Sequence, residues 1–134
     1  LKTNNNISST VVLHRSRSGL NAIQSFLGEN GYDTQILLDS GEIDFERESI
    51  KICTLSSVKG LEFDNVFIID LNDDILPYPP GFNGEDDELH ISTERRLLYT
   101  SMTRARERLY LLSSGEPSRY LTEIDEDLLV KANN

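Results

Sequence analysis

Two runs in this 134-residue sequence, Val66-Phe67-Ile68-Ile69 and Leu109-Tyr110-Leu111-Leu112, are apolar at every position rather than at alternate ones. A strand with one wet face alternates, whereas a strand covered on both faces does not. Such strands require helices on each side of their sheet. The rest of the chain supplies matching parts. Thr10 to His14 is a β-branched run of strand length. Ser18 to Asn30 follows with Leu20, Ile23, Phe26 and Leu27 at helical spacing, and Gly31 provides a stop. Thr34 to Leu38, Ile50 to Leu55, Asn65 to Asp70 and Arg108 to Ser113 read as the remaining strands. The expected fold class is α/β, a mostly parallel sheet with helices on both faces, in a single domain over residues 1–134.

Composition narrows the function classes. No apolar run approaches the roughly 20 residues of a membrane span, and the N-terminus has neither a signal-peptide nor a transit-peptide pattern. A soluble, cytoplasmic protein with no membrane partner is expected. The single cysteine, Cys53, lies in the apolar-leaning run Ile50 to Leu55 and reads as a small buried hydrophobe. His14 and His90 are far apart and no ligand spacing supports a metal site. The formal charge of −10 argues against a protein that coats DNA, because phosphate binding is driven by clustered Lys and Arg. The charge is unevenly spread, however. Acid gathers at Glu85 to Glu88 and between Glu116 and Asp127, while five arginines fall between Arg95 and Arg108. Residues 72–91 hold all but one of the prolines and the first acidic run, and are expected to form a long surface loop.

Two segments carry chemistry. Glu94 to Arg106 reads as a helix whose Leu98, Met102, Ala105 and Leu109 make a buried stripe, with Arg104 flanking it. A guanidinium in that position can reach a ligand held by another domain; it can equally belong to a solvated face paired with Glu94 and Glu107. Thr54 to Asp70 reads as strand, polar turn and buried strand. Hydroxyls at a strand's carboxyl end lie where open parallel sheets bind ligands. Gly60 permits a tight turn, and Glu62 offers an acceptor for sugar hydroxyls or is merely a surface acid.

Thr54 to Asp70, with its core Lys59-Gly60-Leu61-Glu62-Phe63-Asp64, resembles the fifth signature motif of UvrD/Rep-like superfamily 1 DNA helicases. Glu94 to Arg106 resembles their sixth, and Val11 to Ser16 is similar to the fourth, in which a strand ends in an arginine. Motif order and spacing agree over about Thr10 to Ser113. The resemblance implies the C-terminal, second RecA-like motor domain of a P-loop NTPase-type enzyme. ATP with Mg²⁺ would then be bound mainly by the N-terminal RecA-like domain of the same parent chain. By matching position, Arg15 and Arg104 would be arginine fingers at the γ-phosphate, and Glu62, beside Gly60, would contact the ribose. Thr54, Ser56, Ser57 and Lys59 would face single-stranded DNA.

Two departures stand out. Ser56 occupies a position where the family commonly has histidine, and only 39 positions separate Arg15 from Thr54, where larger relatives insert a whole subdomain. No Gly-x-x-x-x-Gly-Lys-Ser/Thr phosphate loop occurs in the sequence. The implied function is therefore a piece of an ATP-dependent DNA helicase or translocase, of the DNA repair type, inactive as an ATPase alone. The alternatives are a non-catalytic RecA-like binding module and the motor part of an ATP-dependent nuclease.

Overall fold

Five strands, Thr10–His14 (β1), Thr34–Ile36 (β2), Ile50–Thr54 (β3), Phe63–Ile68 (β4) and Ala105–Leu111 (β5), form one sheet in the order β2-β3-β1-β4-β5. Every neighbouring pair is parallel. Two helices complete the frame, Arg17–Glu29 (α1) and Glu85–Met102 (α2). The computed structural model describes residues 7–37, 44–58, 60–77 and 85–130, apart from the side chains of residues 85–87 and 126.

The continuous apolar runs are explained by where their side chains go. Successive residues of a strand point to opposite faces. Val66 and Ile68 of β4 pack into one core with Val11, Leu13, Cys53 and Leu98 of α2. Phe67 and Ile69 pack into the other, with Val12, Ile50, Ile52 and α1 residues Leu20 and Ile23. On β5, Leu109 and Leu111 join the α2 side, while the Tyr110 ring stacks on Phe67 with centroids 4.4 Å apart. Helices cover both faces, as the sequence requires. Cys53 is fully buried and burial pushes its thiol up to about 12, in keeping with a small hydrophobe.

The sequence reading and the structure part ways around α2. The segment expected as a loop over residues 72–91 is helical from Glu85, and residues 78–84 lie outside the described residues. The backbone of the acidic run Glu85 to Glu88 is the first turn of this helix. At its other end the helix stops at Met102, so Ala105 and Leu109 are strand residues. The Thr103 hydroxyl donates to the Thr100 carbonyl at 2.6 Å and Phe63 N–H donates to the Arg104 carbonyl at 2.9 Å. Together these contacts end the helix and start the ladder between β4 and β5.

Three further sets of contacts hold the frame together. At the centre, β1 leads away towards β2 and β4 leads away towards β5, so the crevice between their carboxyl ends is the point where the topology reverses. His14 Nε2 meets Asp70 Oδ2 across it at 2.9 Å, while Ser16 N–H donates to His14 Nδ1 at 3.0 Å. The imidazole fits because Gly19 lies over it; a Cβ there would come within 2.5 Å of the ring. Asp70 takes a positive φ of 53° to reach it. Beside β3, the wholly buried Lys51 donates to the carbonyls of Arg47 and Ser49, each at 3.0 Å, which folds the end of the β2–β3 connection onto the sheet. Burial holds its ammonium below the usual lysine range.

The C-terminal segment straps α2. Ser118 donates to the Leu76 carbonyl at 2.6 Å, Glu123 takes both Arg95 and Tyr99, and the fully buried Tyr120 donates to the Ile91 carbonyl at 2.7 Å. Burial pushes the Tyr120 phenol up to about 12 from 10.0. The unfolded chain therefore loses that proton first, and stability should fall as pH rises from 10 towards 12, by at most about 2–3 kcal/mol. Urea midpoints measured at pH 9 and pH 11.5 should drop more in the wild type than in Tyr120→Phe; equal drops would show that the phenol is not confined in this way.

Candidate functional site

The residues singled out in the sequence fall into two groups at opposite ends of the sheet. At the carboxyl end, Thr54 closes β3 and its hydroxyl donates to Ser57 Oγ at 2.9 Å, with Ser56 Oγ 3.3 Å away. Ser57 N–H in turn donates to Thr54 Oγ1 at 3.2 Å, making a compact hydroxyl turn with Ser56 outermost. Leu55 N–H donates to the His14 carbonyl, which sets this turn beside the end of β1. Arg15 lies on that same edge. Its guanidinium grips Glu94 of α2 in a bidentate pair at 2.8 and 2.9 Å, and Glu94 is only 3% exposed. Lys59, expected among these residues, lies outside the described residues.

At the amino end, Gly60 turns with φ +84°, the conformation a side chain would resist. Glu62 follows, exposed and without a hydrogen-bonding partner among the described residues. Arg104 sits in the turn between α2 and β5, immediately before Ala105 pairs with Phe63. Its Nη1 donates to the Leu61 carbonyl at 3.4 Å and its Nη2 to Thr103 Oγ1 at 3.1 Å. Its Nε is buried with no partner among the described residues.

The sequence expectation joined Arg15 and Arg104 at one phosphate, and the structure does not bring them together. Leu13 is level with Ile68 and Ala105 with Phe63, at opposite ends of β4. Five strand steps of about 3.3 Å separate those two levels by on the order of 17 Å, with Arg15 beyond one and Arg104 beyond the other. Glu62 and Arg104 share one end; Arg15, Thr54, Ser56 and Ser57 share the other. Arg95, also on the arginine helix, is an internal strut held to Glu123 at 2.9 Å. Glu94 was read only as an acid for pairing on a solvated face. Nothing local in the sequence could announce its partner, which is 79 positions away.

A family model described as the UvrD-like helicase C-terminal domain matches residues 32–116, more than half of the chain. The chain belongs to this family. Gly60, Glu62, Thr54 and Arg104 fall inside the matched stretch of this UvrD-like helicase C-terminal domain, and Arg15 falls outside it. Over 108 residues the chain is 36% identical to the ATP-dependent DNA helicases PcrA of Staphylococcus epidermidis and Staphylococcus aureus. Those matches cover 72% of this chain and 14% of each relative, so the chain spans about a seventh of their length. The fold is shared with a solved structure described as the C-terminal domain of a possible DNA helicase from Lactobacillus plantarum WCFS1. That likeness has a TM-score of 0.66 at 24% identity and covers 90% of this chain and 65% of the other.

Among the described residues no helix is long and apolar enough to cross a membrane, and no three His, Cys, Asp or Glu side chains gather to hold a metal. The contrast between the two arginines is open to measurement. Arg15→Ala deprives a buried carboxylate of two charged hydrogen bonds and should lower unfolding stability by about 2–3 kcal/mol. Arg104→Ala removes only weak donors and should cost less than about 1 kcal/mol. Chemical denaturation of both variants checks this; equal losses would mean that Arg104 is also a structural brace.

Proposed function

We propose that this chain is the C-terminal motor domain of an ATP-dependent DNA helicase or translocase, supplying one edge to ATP and the other to single-stranded DNA. The observation that carries the ATP half is Arg104. It is a permanently charged group whose buried Nε has no partner among the described residues, held at the same rim of the sheet as the exposed Glu62. An arginine balanced in this way can supply charge to a γ-phosphate bound by a second domain, which is how phosphoryl transfer uses an arginine finger.

The residues fit part of an ATP molecule. Glu62 would accept hydrogen bonds from the ribose hydroxyls beside the Gly60 turn, and Arg104 would meet the terminal phosphate. The phosphate loop and Mg²⁺ would come with the N-terminal RecA-like domain of the parent chain. PcrA, a relative over part of its length, is described as ATP-dependent and as a DNA helicase, in keeping with this division. ATP-driven closure would bring Arg104 onto the phosphate, and hydrolysis would release it.

Arg15 takes a different place in this proposal from the one the motif resemblance implied. Fixed by Glu94 at the carboxyl edge, it belongs with Thr54, Ser56 and Ser57, and with Lys59 by sequence. These hydroxyls and cations would hold the phosphate backbone of a single strand without reading its bases.

The test uses the parent protein. Arg104→Ala should reduce DNA-stimulated ATP turnover by about 10³-fold while leaving the single-stranded DNA dissociation constant unchanged. The double change Thr54→Val and Ser57→Ala should do the reverse, weakening DNA binding and leaving the KM for ATP alone. If Arg104→Ala turns over ATP at near wild-type rate, the motor reading is wrong.

A further inference from the structure

The runs Val66 to Ile69 and Leu109 to Leu112 carry the pattern of strands covered on both faces, yet their two faces are covered unequally. On one side α2 and the C-terminal segment close over Val66, Ile68, Leu109 and Leu111. On the other, α1 is the one helix among the described residues, and it lies over β1, β2 and β3. Phe67 and Ile69 are reached in part and stay half-buried, while Tyr110 and Leu112 belong to neither core. Leu112 prolongs the ladder, its N–H donating to the Ile68 carbonyl at 2.9 Å, and is 47% exposed. The exposed Arg108, two residues before Tyr110 on the same face, ends the apolar strip. Topology explains the gap. A helix over this part of the sheet would come from a crossover into β4 or β5, but residues 55–62 pack Leu55 and Val58 on the α2 side, and the second crossover is α2 itself.

We propose that the strip formed by Phe67, Ile69, Tyr110 and Leu112 is the seat of an amphipathic helix supplied by the parent chain ahead of Ile7. Its size selects the kind of occupant. From Arg108 to Leu112 the strip runs four strand steps, about 13 Å, and it is two strands and so about 10 Å wide, which fits one helix. That footprint, on the order of 10² Å², is far below the roughly 800 Å² per partner of a stable pair of separate proteins. A second copy of the chain would not be held by it. A covalently attached segment would, because a tether raises its effective concentration to roughly the mM range. Ile7 shows from which side that segment arrives. It packs in the same layer as Phe67 and Ile69, and its turn, Ile7–Ser9, touches β3 and β4. A helix laid antiparallel to β4 and β5 would end at the amino edge, where Ile7 leads into β1. The chain spans about a seventh of the PcrA relatives, so such a segment is in keeping with their length. The inference rests on the proposed function only for the existence of a parent chain.

Photocrosslinking in the parent protein tests this directly. The photoreactive residue p-benzoylphenylalanine is placed at Leu112 or, in a second variant, at Arg108, and a wild-type urea midpoint shows that each variant is folded. After irradiation, mass spectrometry should map the crosslinks from Leu112 to one stretch ahead of Ile7, at apolar positions three and four residues apart. Those from Arg108 should fall in the same stretch about nine residues nearer to Ile7, as an antiparallel helix rising 1.5 Å per residue requires. The same group at Gln24, which faces Thr34 on the far flank of α1, should capture that stretch at least about tenfold less. In an equal mixture of ¹⁴N and ¹⁵N protein every crosslink should join peptides of like label. The proposal is overturned by crosslinks between unlike labels, by capture of residues beyond Asn134, by crosslinks without helical spacing, or by none at either site. Crosslinks as described alongside an Arg104→Ala parent with normal turnover would remove the motor reading and keep the helix seat. The opposite pair of results would remove the helix seat alone.

Discussion

Eight residues, 55–62, carry the chain from the carboxyl end of β3 to the amino end of β4, passing β1 on the way. Parallel neighbours usually require a crossover of a dozen or more residues, most often a helix. Here the link has little slack, and everything ascribed to the two edges depends on it. Leu55 and Val58 anchor it in the core beneath α2, where Ser101 donates to the Leu55 carbonyl at 3.2 Å. Its first residues continue the hydroxyl turn, and its last two are Leu61 and Glu62. Ser101 of α2 holds Leu55 near one end of the segment, and Arg104, in the turn after α2, holds Leu61 near the other.

Ion pairing leaves the total of −10 unchanged, because each pair takes one charge of either sign, but it decides which charges remain to act on a ligand. Much of the charge is spent internally. Arg15 holds Glu94, Arg95 holds Glu123, Arg106 holds Asp64 and Arg119 holds Asp73. Apart from Arg15–Glu94, whose carboxylate is buried, these pairs are exposed and contribute little stability. What they do is orient: Arg95 and Arg119 fasten the C-terminal segment to α2 and to the turn after β4, and Arg106 ties the start of β5 to Asp64 and Ser9. A residue's charge in the sequence therefore says little about the field it presents until its partner is known.

How far the sequence could be read depended on whether the signal was local. Strand periodicity is local, and β1 is where the residues Thr10 to His14 placed it. Both-face coverage followed from Val66 to Ile69 for the same reason. The limits of α2 were missed at each end because the signals were ambiguous: four acids in a row suit a loop as well as a first helical turn, and spacings of seven and eleven residues fit the helix but carry on into β5. The division of the site into two edges was out of reach. Arg15 and Arg104 look equivalent as motif arginines, and only the parallel register of β1, β4 and β5 reveals that they stand at opposite rims.

Lys51 explains how the connection between β2 and β3 can be brief. The motif resemblance implies an inserted subdomain somewhere between Arg15 and Thr54 in larger relatives; here a buried ammonium is satisfied by two main-chain oxygens of the β2–β3 connection, those of Arg47 and Ser49. The end of the connection is thus tied to β3 by its own main chain. Any module grafted there must present two replacement acceptors at the same depth or arrive with an apolar residue in the lysine's place, since an ammonium stranded under the sheet would cost more than the graft's own contacts return.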